Sequence, residues 1–165
     1  MTTQKDFDPN IIPINVEGLI RFHGADLDKN ADLPEGVLGQ IEKKADGKYK
    51  ISIQKNDHYF RKRFTMAHEL GHFLLHKDKI GEGLDDSKMY RALYRRGINI
   101  TSDEETEANK YAALTLMPED YVLYFMKEKG AVTGSGEINE EVVRDIAATF
   151  QVSPKAMEIR IKNLI

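Results

Sequence analysis

Residues 63–73 read RFTMAHELGHF, and the interpretation of the whole chain starts from this stretch. Its apolar residues recur at steps of three and four, a pattern that predicts an amphipathic helix over residues 64–75. His68 and His72 are four residues apart, so on a helix both imidazoles lie on one face, one turn apart. This spacing lets both ring nitrogens reach a single zinc ion at about 2.0–2.1 Å.

Glu69 completes a His-Glu-x-x-His pattern and is the candidate catalytic residue. Because it directly follows the first histidine, it is directed toward a water on the metal and not toward the metal itself. Zinc lowers the pKa of such a water toward about 7, and a glutamate can take its proton and pass it to the leaving amine. The alternative is a pair of partly exposed helix histidines beside an ordinary surface glutamate. A site that only bound zinc would have no evident use for Glu69.

A third metal ligand is expected from a second helix. The chain has no cysteine, so this ligand must be a histidine or a carboxylate. Residues 101–113 read TSDEETEANKYAA and offer Glu104, Glu105 and Glu107. Helix phase favours Glu105, because it lies on the same inward-looking stripe as Asn109. Asn109 can then accept the second ring N–H of a zinc histidine, while the other two glutamates remain rivals on chemistry alone.

Other interpretations apply to Glu105 and to the remaining histidines. Ser102 and Glu105 form a Ser-x-x-Glu pattern that is also typical of a helix capping box. His76 extends the histidine series by another four residues, but one more turn moves it about 6 Å along the axis, too far to join the same ion. We expect it at the helix C-terminus, where a histidine suits the helix dipole. His23 and His58 have no partner pattern and are expected to be structural or exposed.

Composition limits the classes of protein that this chain can belong to. At 165 residues, 41% hydrophobic and 31% charged, it is typical of one globular domain. A net charge of −3 gives no general attraction to nucleic acid or to anionic membranes. The first residues do not resemble a secretory signal, and no apolar run is long enough to cross a bilayer. We therefore expect no membrane partner and a cytoplasmic location, which the absence of cysteine also fits.

The pattern along the rest of the chain predicts a helix-rich α+β fold around a small antiparallel sheet. Two strands are expected on either side of an Asp46-Gly47 hairpin turn. The segment 77–101 is polar and broken by glycines, and is interpreted as a lid with a short helix near 88–94. The other predicted elements are helices at 14–23, 102–116, 118–129, 139–150 and 154–164, with strands at 37–41 and 49–53.

Three motifs together resemble the ImmA/IrrE family of zinc metallopeptidases. They are RFTMAHELGHFLLH at 63–76, ETEANKYAALTLMP at 105–118, and the tail from Asp145 to Leu164. The resemblance implies a zincin-like (gluzincin-like) peptidase domain at 1–129, followed by a C-terminal helical pair at 130–165. It also implies one zinc per chain, with the third ligand at Glu105.

The resemblance further implies that the substrate is a protein, often a helix-turn-helix repressor of a phage, mobile element or stress response. The sequence of the C-terminal pair itself resembles a helix-turn-helix, in which Lys155, Arg160 and Lys162 could contact DNA phosphates. Glu158 and the acidic net charge count against DNA binding, and a pair that packs on the peptidase or grips the substrate is favoured. A non-catalytic zinc-binding regulator, as in toxin–antitoxin-like pairs, is the alternative function.

Overall fold

The structure is a computed structural model that describes residues 7–80, 101–132 and 134–165. The chain forms two compact units. One comprises Asn15–Thr115, and the other combines Met1–Ile14 with Leu116–Ile165. The domain boundary at 129/130 expected from the sequence differs from this division and stays a prediction. The expected helix at 88–94 and most of the expected lid lie outside the described residues.

The sheet of the first unit is mixed, with strands β1 (Asp26–Ala31), β2 (Gly39–Lys43) and β3 (Tyr49–Gln54) in the order β1-β3-β2. β2 and β3 form the predicted antiparallel hairpin, whose turn contains Gly47 at φ +82°. β1 runs parallel to β3. The expectation of an antiparallel sheet was therefore wrong. The prediction failed because it did not include β1. This largely exposed strand has the sequence DLDKNA and lacks the apolar alternation that marks a half-buried strand.

Helix α2 (Tyr59–Leu75) packs against β2, β3 and the short helix α1 (Val16–Phe22). It begins five residues before the predicted start, because the His58 imidazole accepts a hydrogen bond from the backbone N–H of Phe60 at 3.3 Å and caps the helix. Its inner face buries a row of apolar side chains: Met66, Ala67, Leu70 and Phe73. This burial fixes the rotation of α2 and so the direction of its histidines.

Helix α3 (Ser102–Leu116) lies close to α2, and Gly71 permits the contact. A Cβ at Gly71 would lie 3.0 Å from the ring of Tyr111 and 3.3 Å from the Cα of Ala108. Ala108 and Ala112 are completely buried on the facing stripe of α3. Small residues on both helices therefore set the distance between them.

The start of α3 is capped one position earlier than the sequence alternative proposed. Thr101 N–H donates to Glu104 Oε2 at 2.7 Å, and Glu104 N–H donates to Thr101 Oγ1 at 3.2 Å. This reciprocal pair is a capping box. Glu104 also pairs with Lys79, the last residue of the 3₁₀ turn Lys77–Lys79 after α2. The capping box therefore uses Glu104 and leaves Glu105 for other contacts.

The second unit contains helices α4 (Glu119–Lys129), α5 (Glu140–Phe150) and α6 (Pro154–Lys162), all within two residues of their predicted limits. α5 and α6 pack together through a row of completely or almost completely buried side chains: Val143, Ile146, Ala147, Phe150, Met157 and Ile161. Within the described ranges, no helix has both the length and the apolar character needed to span a bilayer.

Asn139 caps α5 and provides a test of this local structure. Its side-chain oxygen accepts hydrogen bonds from the backbone N–H groups of Glu141 and Val142, at 3.1 and 3.3 Å. We expect Asn139→Ala to lower the free energy of unfolding by about 1 kcal/mol, because these donors lose their acceptor. Asn139→Asp keeps an acceptor and should remain close to wild type. Chemical denaturation measures both variants, and equal losses would contradict the capping role.

Candidate metal centre

Three side chains from α2 and α3 come together at the face where these helices meet. His68 and His72 project from α2 and Glu105 from α3, with their ligand atoms all within 4.8 Å of one another. The two histidine Nε2 atoms are 3.0 Å apart. Glu105 places one oxygen 3.4 Å from Nε2 of His68 and the other 3.2 Å from Nε2 of His72. The structure thus brings together the three predicted ligands, although metal binding by them stays a prediction.

The spacing and chemistry of this donor set fit a zinc ion. Ligand atoms at about 2.0–2.1 Å from a tetrahedral ion lie about 3.3–3.4 Å from one another, close to the separations of 3.0–3.4 Å found here. Two imidazoles and one carboxylate form a known catalytic ligand set, in which the fourth position is left for water or substrate. Among residues 7–80 and 101–165, the metal-ligating group contains these three side chains and no fourth.

Exposure within the cluster falls steadily from one side to the other. The side chain of Glu105 is 42% exposed and that of His68 is 15% exposed, while His72 is completely buried. Solvent therefore reaches the cluster from the Glu105 side. His72 lies at the buried side of the cluster.

The cluster is arranged to hold positive charge. The pKa of Glu105 is held well below its usual value by hydrogen bonds, first from His68 and then from His72, with burial opposing them. Burial lowers the pKa of His68, but the hydrogen bond to Glu105 and the charge of Glu69 outweigh it and raise that pKa overall. The hydrogen bonds between the carboxylate of Glu105 and the imidazoles thus favour an ionised Glu105 and a protonated His68.

Asn109 contacts the outer nitrogen of His68, as the sequence predicted. Its Oδ1 lies 2.9 Å from Nδ1 of His68. An amide oxygen only accepts, so Nδ1 carries a hydrogen, and in the neutral ring Nε2 is then the nitrogen whose lone pair can bind a metal in the cluster. The contact therefore fixes the ring orientation and the tautomer that a metal ligand requires.

Glu69 is buried beside the first residue of β2. Only 3% of the residue is exposed. A Cβ built at Gly39 would lie 3.3 Å from Oε1 of Glu69 and would collide with the methyl group of Thr65. Glycine at position 39 therefore gives room to the carboxylate, a constraint that sequence reasoning missed because a lone glycine in a strand pattern has many causes. Glu69 is outside the group of three converging side chains, and its role as a base stays a prediction.

The two rival glutamates have other partners. Glu104 forms the capping box with Thr101 and pairs with Lys79, interactions that lower its pKa to about 2. Glu107 places Oε2 2.8 Å from Nε2 of His76. Both carboxylates are thus engaged away from the converging ligand atoms, which leaves Glu105 as the third ligand candidate.

His76 caps the C-terminus of α2, as expected, but its ring also makes a contact that the sequence interpretation missed. Its Nδ1 atom lies 2.9 Å from Nδ1 of His72 in a buried position. The four-residue histidine series was a visible signal for this contact, since residues four apart share a helix face. His23 and His58 are exposed helix caps far from this series.

Comparison with known protein families identifies the family of this chain. The family model Peptidase_M78, described as the IrrE N-terminal-like domain, matches residues 27–162. This range contains α2, α3 and every residue of the candidate centre. It confirms the resemblance to the ImmA/IrrE family drawn from the motifs. No curated protein matches the chain.

The raised pKa of His68 predicts how zinc affinity depends on pH. Protons compete with zinc for the imidazole, and here they stay bound to a higher pH than on an ordinary histidine. The affinity should therefore be weak below the pKa of His68, rise as pH increases through it, and level off above it. Competition with a chromophoric chelator between about pH 5.5 and 8.5 measures the curve. An affinity that does not change over this range would contradict proton competition at the cluster.

Proposed function

The chain belongs to the Peptidase_M78 family, and from this premise we propose that it is a zinc-dependent endopeptidase whose substrate is a partner helix-turn-helix repressor. One observation carries the proposal. Nε2 of His68, Nε2 of His72 and the carboxylate of Glu105 converge within 3.0–3.4 Å, and the buried carboxylate of Glu69 follows the first of them in the chain. This arrangement fits three ligands and one general base.

Each residue has a separate role in the proposed reaction. His68, His72 and Glu105 hold one zinc ion per chain. When bound, zinc acts as a Lewis acid toward the scissile carbonyl and lowers the pKa of water at the site. Glu69 accepts the proton of the attacking water and later returns it to the nitrogen of the leaving amine. Asn109 keeps the His68 ring in the orientation that binding needs.

The surroundings of Glu69 support its role as a base and not as a fourth ligand. The carboxylate lies against Gly39 at the start of β2, and burial shields it from bulk water. The negative charge of Glu69 also raises the pKa of His68, which indicates that its carboxylate lies near the cluster. Gly39 therefore leaves room for the carboxylate of Glu69 at the start of β2, where it is buried.

The choice of a repressor as substrate comes from the family resemblance, and contacts of the C-terminal pair favour a protein-facing role for α6. Arg160 Nε donates to the carbonyl of Met117 at 3.0 Å. Lys155 lies 3.1 Å from Glu158, which also pairs with Lys162. All three basic side chains considered for DNA phosphates thus have intramolecular partners. Cleavage of a DNA-bound regulator places the proposed reaction in the cytoplasm.

A cleavage assay with Glu69→Gln tests the proposed chemistry. We expect the variant to bind about one zinc per chain, because the three ligands remain, and to lose cleavage by at least about 100-fold, because the proton acceptor is gone. Metal analysis and incubation with the helix-turn-helix protein encoded beside this chain measure both properties. Glu104→Gln is the matched control, since it removes a carboxylate of the capping box without touching the cluster.

The outcomes of this assay separate the functions. Zinc in both proteins with cleavage only by the wild type supports the endopeptidase. Zinc in both without cleavage of the repressor favours a non-catalytic zinc-binding regulator. Absence of zinc from the wild type, purified without chelators and supplied with the metal, would overturn the metal centre.

A double variant, Lys155→Gln with Lys162→Gln, tests whether this chain binds DNA through α6. We expect repressor cleavage to stay within about twofold of wild type, and DNA affinity to be weak and equally salt-dependent in both proteins. Fluorescence anisotropy with duplex DNA at two salt concentrations measures the second property. A DNA affinity that falls selectively in the double variant would show that the lysines meet phosphates despite their pairing with Glu158.

A further inference from the structure

A second line of side chains runs from His72 away from the ligand cluster. His72 Nδ1 lies 2.9 Å from His76 Nδ1, and His76 Nε2 lies 2.8 Å from Glu107 Oε2. The side chains of His72 and His76 are 0% and 4% exposed, whereas that of Glu107 is 59% exposed. The line thus connects the most buried ligand candidate to a carboxylate at the surface of α3.

Glu107 determines the direction of the hydrogen bonds along this line, since it is the member of the line that cannot donate. The Glu107 carboxylate only accepts, so His76 Nε2 carries the hydrogen. In a neutral imidazole the other nitrogen is then an acceptor, so His76 Nδ1 receives a hydrogen bond from Nδ1–H of His72. Nε2 of His72 also lies 3.2 Å from Glu105. When a metal takes the place of that hydrogen bond, the line keeps the ring hydrogen on Nδ1 and leaves the Nε2 lone pair to the metal, which is the form that binds it.

We propose that His76 and Glu107 are positioning residues that fix the tautomer and ring orientation of His72, and so raise the zinc affinity of the centre. The inference rests on the proposed function in one respect, that His72 binds zinc. It assigns to His72 the kind of support that Asn109 gives to His68. Each histidine of α2 then has a hydrogen-bond partner at its Nδ1 atom. Asn109 of α3 is the partner of His68, and His76 at the end of α2 is the partner of His72.

Burial makes His76 the more important of the two positioning residues. Without His76, the Nδ1–H group of His72 would lose its partner at a place that is completely buried, and an unsatisfied buried donor is unfavourable. Glu107 contacts His76 and not His72 itself. Because its side chain is exposed, water can replace part of the hydrogen bond that it accepts from His76. We therefore expect substitutions of His76 to lower the zinc affinity more than substitutions of Glu107 do.

Zinc affinity of the metal-free protein, measured by competition with a chelator, tests the proposal without reference to activity. His76→Leu should weaken zinc binding about 10- to 100-fold, as loss of such outer partners does at other sites. His76→Asn should recover most of this loss, because its side-chain oxygen can accept from His72 near the place of Nδ1. Glu107→Gln should weaken zinc binding less than His76→Leu does. Glu104→Gln, which alters a carboxylate on the same helix, should bind zinc as wild type does.

A purely structural role for His76 makes a different prediction. It would lower the thermal stability of the metal-free protein in His76→Leu and His76→Asn alike, while the folded fraction bound zinc with unchanged affinity. Absorption of the Co²⁺-substituted protein adds a second readout, since an altered ring orientation changes the visible bands. If His76→Leu fails to fold, Glu107→Gln is the variant that tests the proposal. Wild-type zinc affinity together with unchanged visible bands of the Co²⁺-substituted Glu107→Gln protein would then overturn it.

Failure of this inference and failure of the proposed function give different results. A wild type that binds zinc without cleaving the repressor contradicts the endopeptidase but not the positioning role. Wild-type zinc affinity in His76→Leu contradicts the positioning role and leaves the endopeptidase in place. A wild type that does not bind zinc overturns both.

Discussion

The contact between α2 and α3 is the constraint on which the candidate centre depends. Two imidazoles come from one helix and the carboxylate from the other, so the separations of 3.4 and 3.2 Å between Glu105 and the histidines exist only while these helices stay close. The closeness comes from residues with no chemical role, a glycine at position 71 and buried alanines across from it. The packing of an apolar surface thereby brings together polar groups that lose hydration when they are buried, and their mutual hydrogen bonds compensate for that loss.

The polar contacts around the centre then determine how each ligand is presented. Asn109 contacts Nδ1 of His68, and His76 with Glu107 forms a line from Nδ1 of His72, so the Nε2 atoms of both rings face the same place, 3.0 Å apart. Glu105 faces them from α3 with a carboxylate that stays ionised. The carboxylate of Glu69 remains outside this group because α2 turns it toward the start of β2. One short helical motif therefore contributes two histidines to the cluster and a buried carboxylate beside the start of β2.

Sequence reasoning predicted the elements whose signal is local. The apolar periodicity of α2 and α3 is strong, and helix phase was enough to prefer Glu105 over its neighbours. β1 was missed because it is an exposed strand of polar residues, and it is this strand that makes the sheet mixed. The contact between His76 and Glu107 was also missed, since residues 31 positions apart meet only once α3 has packed across α2. Patterns within one element were thus readable, whereas pairings between elements required the tertiary structure.

Gly71 has a consequence for how this protein can change during evolution. Every other amino acid carries at least a Cβ, which would lie 3.0 Å from the Tyr111 side chain and 3.3 Å from the Cα of Ala108, so one of these neighbours would have to give by a few tenths of an ångström. Both neighbours belong to α3, the helix that brings Glu105 to the two histidines. A substitution at position 71 therefore acts on the candidate centre while its three side chains and the His-Glu-x-x-His motif stay unchanged.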